Sequence, residues 1–149
     1  MKLYIIRHGE TSWNKAKKLQ GRKDIMLDAD GIRLAELTGE GMKDIEFDLV
    51  ISSPLMRARQ TAELVLAGRE IPMITDKRII EMSFGKWEGE SVRHSEIVTE
   101  EFADKFFHDP YHCPKAPGGE SFRDVLERTA DFYQSLIKNQ AYKDANILI

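Results

Sequence analysis

The sequence predicts an α/β fold, a three-layer α/β/α sandwich whose central sheet is mostly parallel. Four short apolar runs rich in β-branched residues predict strands, at residues 3–6, 47–51, 73–75 and 146–149. Longer segments with helical periodicity separate several of these runs, and a helix between two strands favours parallel pairing. The chain has 149 residues, of which 42% are apolar, so we expect one domain with a sizeable core.

The first half of the chain carries three helix predictions. Residues 11–18 are polar and predict a short helix or an irregular turn. Asp28 is expected to cap a helix over residues 29–44. Ser53 and Pro54 then predict the start of a third helix that ends near residue 66, because serine caps free amides and proline fits the first turn.

The second half carries two more helix predictions. Residues 90–107 are weakly amphipathic, and the side expected to be buried consists of Val92, Ile97, Phe102, Phe106 and Phe107. Ser121 is expected to cap a last helix over residues 122–139. We expect its apolar stripe to lie in the core; the stripe consists of Phe122, Val125, Leu126, Thr129, Phe132, Tyr133 and Leu136.

Charge and cysteine content exclude several classes of function. The net charge is −3, from 22 basic and 25 acidic residues, so no general attraction to nucleic acid or to an anionic membrane is expected. Cys113 is the single cysteine and cannot form an internal disulfide, which fits a reducing compartment and predicts a cytoplasmic location. No stretch approaches the roughly 20 apolar residues of a membrane helix, and the first residues lack the apolar run of a signal peptide.

The junction after the first strand is the strongest functional signal. Arg7, His8 and Gly9 follow the apolar run directly, which places a guanidinium and an imidazole at the carboxyl end of a strand, where α/β sheets bind ligands. Arginine suits phosphate oxygens, and a neutral histidine is a nucleophile near physiological pH. Gly9 allows a tight turn or a close approach to a ligand. The pattern indicates phosphoryl chemistry, although a solvent-exposed strand end would also place polar residues here.

A second arginine is expected at the same carboxyl end of the sheet as Arg7 and His8. Arg57 lies in the first turn of the predicted third helix, whose N-terminus would carry partial positive charge toward the end of the sheet. Arg7 and Arg57 together could hold one phosphate group. Arg59 is about 200° further round the helix axis and is therefore expected to be solvated or structural.

Glu81 and the remaining histidines complete the candidate residues. Glu81 follows two apolar residues, so we expect partly apolar surroundings and a raised pKa, as a general acid at neutral pH requires. A surface carboxylate is the alternative. No metal site is expected from His94, His108, His112 and Cys113, because Pro110 breaks the only helical pair and no ligand spacing is met.

Three sequence blocks occur in the order and spacing of a known family. They are LYIIRHGET at residues 3–11, SSPLMRARQTA at 52–62 and EMSFGKWEG at 81–89, with a weaker block, PGGES, at 117–121. Trp13, Asn14 and the segment 19–21 extend the first block. Together they cover most of the chain and resemble the histidine phosphatase superfamily, whose fold is phosphoglycerate-mutase-like.

The resemblance implies a metal-independent phosphomonoester hydrolase that forms a phosphohistidine on His8 and acts on a small phosphorylated substrate. The implied catalytic residues are His8, Glu81, Arg7 and Arg57, and the implied substrate-binding residues are Arg7, Asn14, Gln20, Gly21 and Arg57. No cofactor is expected. For Asn14, a turn residue that bonds to its own backbone is the alternative to a phosphate ligand. The oligomeric state stays open.

Two other functions fit the same resemblance. A cofactor-dependent phosphoglycerate mutase would share the first half-reaction, but Met82 after Glu81 and a short insert favour the hydrolase, and residues 84–89 look more like the phosphatase branch. A non-catalytic domain that binds a phosphorylated ligand is the second alternative. Members of the family carry a second active-site histidine after the last strand. None of His94, His108 and His112 matches it, so residues 1–149 are expected to form one domain shortened at its C-terminal end.

Overall fold

The fold is built on a four-stranded sheet in which every neighbouring pair of strands is parallel. The computed structural model describes residues 1–149. The strands are β1 (Lys2–Tyr4), β2 (Leu49–Ser52), β3 (Met73–Thr75) and β4 (Asn146–Leu148), arranged in the order β1-β4-β2-β3. The α/β class and the mostly parallel sheet predicted from the sequence are therefore confirmed.

Five α-helices connect and cover the strands. They are α1 (Ser12–Lys15), α2 (Ala29–Gly41), α3 (Met56–Leu66), α4 (Glu100–His108) and α5 (Phe122–Lys138). Short 3-10 turns lie at Lys77–Ile79, Gly85–Trp87, Pro110–His112 and Gln140–Tyr142. None of the helices has both the length and the hydropathy that crossing a bilayer would require.

Alternating strand residues bury the two faces of the sheet under different helices. Val50 and Leu148 pack with Val65 of α3 on one face. Ile51 and Ile147, one position away on the same strands, pack with α5 on the other face. Because successive side chains of a strand point to opposite sides, the sheet becomes the middle of three layers.

A separate aromatic cluster lies under α4. It joins Leu19, Met82, Phe84, Trp87, Val98, Phe102, Cys113 and Ala116. Phe102 is its centre, with ring centroids 4.8 Å from Trp87 and 6.3 Å from Phe84 in edge-on geometry. The cluster anchors the segment that carries Glu81 to the body of the protein.

The start of α3 differs from the sequence prediction. The helix begins at Met56, and the Ser53 hydroxyl accepts a 3.4 Å hydrogen bond from the Leu55 amide in the preceding turn, so Ser53 is not the cap. The first helical amide, that of Met56, is instead bonded to Asp24 at 2.6 Å. A carboxylate from a loop distant in sequence therefore interacts with the positive N-terminal end of the α3 dipole, and no local sequence pattern predicts this contact.

The predicted helix over residues 90–107 is wrong in its first half. The helix α4 begins at Glu100, where the Thr99 hydroxyl accepts from the Phe102 amide at 3.2 Å. The backbone of residues 90 and 91 bonds to the segment at residues 18 and 19 and not within a helix. The Leu19 amide donates to the Glu90 carbonyl, and Ser91 forms a β-bridge with Lys18. Ile97 and Phe107, expected to be buried, are 53% and 54% exposed.

Apolar residues along α5 and just after β1 are less buried than the sequence predicts. This strand pairs with β4 alone and lies at the sheet edge, and Ile5, just beyond it, is 75% exposed. Along α5, Phe132 and Leu136 are buried, whereas Leu126 and Tyr133 are 63% and 52% exposed. The apolar stripe on α5 is wider than the core surface that covers it.

The helices predicted to end at residues 44 and 139 are slightly shorter in the structure, since α2 ends at Gly41 and α5 at Lys138.

Ile147 provides a test of the three-layer packing. It is fully buried on the central strand β4, so Ile147→Ala is expected to lower the free energy of unfolding by about 2–5 kcal/mol through lost contacts and a residual cavity. Ile74→Ala on the edge strand β3 is the matched control. Ile74 is 47% exposed, and its loss should stay near 1 kcal/mol or below. Urea unfolding measures both, and equal losses would contradict the assignment of β4 to the core.

Candidate active site

A cavity of about 470 Å³ lies at the carboxyl ends of β1, β2 and β4. Arg7, His8, Arg57 and Glu81 all line it. They reach it from the loop after β1, the first turn of α3 and the segment after the Lys77–Ile79 turn. The four residues predicted to be catalytic are thus brought together at one edge of the sheet, as parallel topology requires of strand ends.

One hydrogen bond fixes the chemical form of His8. The Nδ1 atom lies 2.7 Å from the Gly9 carbonyl oxygen. A carbonyl can only accept, so Nδ1 carries the proton, and Nε2 keeps its lone pair in the neutral ring. Nε2 is therefore the ring nitrogen with a free lone pair.

The surroundings of His8 keep the ring neutral. Burial lowers the pKa of His8 below its usual 6.5, and the positive charges of Arg57 and Arg7 lower it further. The hydrogen bond to Gly9 and the negative charge of Glu81 oppose the change without reversing it. His8 is therefore unprotonated at neutral pH.

Gly9 is required by close packing against α2. A Cβ atom on Gly9 would lie 2.5 Å from the Gly31 carbonyl oxygen, and one on Gly31 would lie 2.1 Å from the Glu10 carbonyl oxygen. The two backbones therefore touch where no side chain fits. The sequence predicted a turn or an approach to a ligand, whereas the structure shows an approach to the first turn of α2.

Arg57 is a buried, preoriented guanidinium. The residue is only 1% exposed, and its two terminal nitrogens donate to the Gly21 and Lys23 carbonyls, each at 2.9 Å. Its Nε atom is buried and has no hydrogen-bond partner, so the two carbonyls leave part of the donor capacity of the guanidinium unused. Arg59 is exposed, with Glu63 3.9 Å away, as the helix geometry predicted.

Three predicted substrate-binding residues do not line the cavity. The Thr11 amide donates to Oδ1 of Asn14, and the Asn14 amide donates to the Thr11 hydroxyl, a reciprocal pair that forms a capping box at the start of α1. The Thr11 hydroxyl lies 2.9 Å from Asn14 Oδ1 and from Gln20 Oε1, and its single proton bonds to one of them at a time. Gly21 contributes its carbonyl to Arg57. All three connect to the site through its supporting loop.

Glu81 lines the cavity together with its apolar neighbours Ile79, Ile80 and Met82. Its side chain is exposed, and Oε1 accepts a 2.8 Å hydrogen bond from the Met82 amide. Solvent reaches it because the apolar neighbours Met82 and Phe84 turn into the aromatic cluster instead. Of the acidic residues in the sequence blocks, Glu81 is the one that lines the cavity.

Glu120 supports the segment that carries Glu81, and sequence reasoning assigned it no role. It accepts hydrogen bonds from the Ser83 amide at 2.9 Å, from Arg128 at 3.0 Å and from Arg22 at 2.8 Å. Burial opposes ionisation, but the bonds from Arg128 and Ser83 hold the pKa of Glu120 below its usual value. Its place in the PGGES block was the available signal, since that block matched the family pattern.

The other histidines and acidic residues lie outside the cavity. His108 and His112 are exposed and bond to Asp104 and Asp109, at 3.1 and 2.9 Å. Carboxylate oxygens of Glu10, Asp28 and Asp30 lie near one another, but the Lys15 ammonium ion pairs with Asp28 at 2.9 Å and with Asp30 at 2.5 Å. The Lys15 ammonium therefore neutralises part of the negative charge of this cluster.

The chain is similar to proteins described as phosphatases and as a probable phosphoglycerate mutase. Uncharacterized phosphatase PhoE of Bacillus subtilis (strain 168) is 33% identical over 145 residues, which cover 97% of this chain and 68% of PhoE. A probable phosphoglycerate mutase, GpmB of Proteus mirabilis (strain HI4320), is 35% identical over 129 residues, covering 86% and 59%. The crystal structure of the α-ribazole phosphatase from Shigella flexneri superposes with a TM-score of 0.85 at 36% identity, covering 100% and 72%.

The chain thus spans 59% to 72% of the length of these three proteins. Residues 3–149 match the family model described as the histidine phosphatase superfamily (branch 1). That match includes the strand end with Arg7 and His8, the first turn of α3 with Arg57, and the segment with Glu81. The chain belongs to branch 1 of the histidine phosphatase superfamily.

Proposed function

We propose that the protein hydrolyses phosphate monoesters of small molecules through a phosphohistidine on Nε2 of His8. The observation that carries this proposal is the 2.7 Å bond between Nδ1 and the Gly9 carbonyl, which leaves Nε2 free in a cavity that also holds two guanidinium groups. Names of relatives support it, since PhoE and the Shigella flexneri protein are described as phosphatases.

The first step transfers the phosphoryl group to the protein. Nε2 of His8 attacks phosphorus in line while the bond to the ester oxygen breaks. Arg7 and Arg57 hold the equatorial oxygens and supply the positive charge that a metal ion provides in other phosphoryl-transfer enzymes, so the proposed reaction is metal-independent. Glu81, protonated, gives its proton to the departing alcohol.

The second step restores the enzyme. Water attacks the phosphohistidine, Glu81 as carboxylate accepts its proton, and the N–P bond breaks to release inorganic phosphate and neutral His8. Asn14 acts from outside the cavity, where its Oδ1 holds the Thr11 amide. Gln20 and Gly21 act by holding the loop that orients Arg57.

Phosphoglycerate mutase activity is the second candidate, favoured by the similarity to GpmB. A mutase would form the same phosphohistidine and return the phosphoryl group to a bound glycerate instead of water. Incubation with 2,3-bisphosphoglycerate and 3-phosphoglycerate separates the two. We expect inorganic phosphate to accumulate, and rapid interconversion of 2- and 3-phosphoglycerate would identify a mutase.

Replacing His8 tests the nucleophile. His8→Gln is expected to abolish phosphoenzyme formation from p-nitrophenyl phosphate, because the amide cannot form the N–P bond. Rapid acid-free quench followed by mass spectrometry detects the phosphorylated peptide. His108→Gln, on an exposed histidine outside the cavity, is the matched control and should keep it. A wild-type protein that binds phosphate yet never labels His8 would indicate the non-catalytic ligand-binding domain.

The lowered pKa of His8 predicts the pH dependence of the first step. Because the folded-state pKa lies below 6.5, the neutral nucleophile persists at pH values where an ordinary histidine is protonated. In a plot of phosphoenzyme burst rate against pH, the rate should therefore fall only below pH 6.5. By linkage, this histidine makes the folded state less stable as pH falls from 6.5 through the folded-state pKa.

An NMR titration of the His8 ring in the native protein measures this pKa directly, with the urea-unfolded protein as reference. The His8→Gln variant should lose the corresponding part of the pH dependence of unfolding. A native pKa at or above 6.5 would contradict the assigned surroundings.

Glu81→Gln tests the general acid through the leaving group. Alkyl phosphates expel a poor leaving group, so their phosphoenzyme burst should slow by ~10²–10⁴, whereas p-nitrophenyl phosphate should slow far less. The burst isolates the first step from the later water attack. Glu36→Gln is the control, since Glu36 is exposed on α2 and lies outside the cavity. Equal slowing of both substrates by Glu81→Gln would assign it a structural role and turn the search to Glu10 and Glu88.

A further inference from the structure

Thr61 links the two segments that carry His8 and Arg57. It lies one turn after Arg57 on α3 and is 4% exposed. Its hydroxyl donates to the Arg57 carbonyl at 2.7 Å and accepts from the Gly9 amide at 3.0 Å. Neither the proposed mechanism nor the sequence motifs give this residue a role.

The two bonds of Thr61 admit only one direction. A hydroxyl has a single proton, and the Arg57 carbonyl must receive it, since a carbonyl cannot donate. The oxygen lone pairs therefore face the Gly9 N–H, which is a donor only. The Gly9 amide is buried, so without this acceptor it would have no substitute from solvent.

The position of Gly9 determines the tautomer of His8. The Thr61 hydroxyl holds the peptide plane between His8 and Gly9. Gly31 packs against Gly9 and against the backbone of Glu10, whose amide shares a peptide plane with the Gly9 carbonyl. These two constraints orient the Gly9 carbonyl, which is the acceptor for Nδ1 of His8.

We propose that Thr61 is a positioning residue for the nucleophile, resting on the proposed function of His8. Its hydroxyl keeps the Gly9 carbonyl directed at Nδ1, and so keeps the Nε2 lone pair directed into the cavity beside Arg57. The same oxygen joins the loop of the nucleophile to the helix of the buried guanidinium, so it sets the distance between them.

The test compares Thr61→Val, which removes the hydroxyl at nearly constant volume, with Thr61→Ser, which keeps it. Phosphohistidine formation from p-nitrophenyl phosphate is expected to slow by on the order of 10²-fold in Thr61→Val, because a small misplacement of reacting atoms has that effect. In Thr61→Ser it should stay close to wild type. Thr38→Val is the matched control, as the Thr38 hydroxyl bonds to the Leu34 carbonyl on α2, outside the cavity.

A second readout separates positioning from general destabilisation. Nitrogen-15 NMR of the His8 ring should show the Nδ1–H tautomer in the wild type. The Nε2–H tautomer should be more populated in Thr61→Val, and the spectrum of Thr61→Ser should match that of the wild type. Thr61→Ala replaces Thr61→Val if the latter does not fold. An unchanged tautomer and rate in the variants without the hydroxyl, or an equal loss in Thr61→Ser, overturns the proposal.

The two proposals can fail separately. Absence of phosphohistidine in the wild-type protein refutes the proposed function, and the tautomer measurement then still decides whether Thr61 orients His8. Normal labelling in the wild type and in Thr61→Val with an unchanged tautomer refutes the role of Thr61 alone.

Discussion

The burial of the Arg57 guanidinium is the interaction on which the site depends. A buried cation needs hydrogen-bond acceptors at fixed positions, and here the Gly21 and Lys23 carbonyls supply them. The loop that carries these carbonyls must therefore stay in place. Asp24 ties it to the first amide of α3, and Gln20 ties it to Thr11 beside the nucleophile. The anion site is thus supported by a loop that does not itself line the cavity.

The acidic residues of the site have distinct tasks that follow from their contacts. Glu120 and Glu88 accept several backbone or guanidinium hydrogen bonds and hold the segment around Ser83 and Phe84. The hydrogen bonds from Arg128 and the Ser83 amide hold the pKa of Glu120 below its usual value, so Glu120 is a poor proton donor. Glu81 makes one local bond and lines the cavity, in keeping with the acid–base role proposed for it above. The proposal therefore assigns the reacting role to Glu81 and supporting roles to Glu88 and Glu120.

The local architecture also explains why hydrolase and mutase relatives share one framework. In the proposed mechanism, the contacts around His8 serve formation of the phosphoenzyme, which both reactions need. The acceptor in the second half-reaction is water in one case and a glycerate in the other, and that choice depends on groups that bind the rest of the substrate. Relatives described as phosphatases and as a phosphoglycerate mutase accordingly match this chain at similar identity.

The sequence by itself determined the fold class and the main members of the site. Hydrophobic periodicity located four strands and the long helices, because it reflects burial on one face, and parallel topology then required the strand ends with Arg7, His8 and Arg57 to meet. The caps at Asp28 and Ser121 were also predictable, since capping acts over three residues.

Only the tertiary structure decided the contacts between segments that lie far apart in sequence. Asp24 caps α3, Thr61 holds Gly9, and Glu120 supports the segment with Glu81, over separations that no local pattern encodes. It also decided exposure: Glu81 lies in solvent, and Ile5 and Tyr133 are uncovered near the edge strand. Periodicity states which side of an element is apolar, but whether another element covers that side depends on packing between segments far apart in sequence.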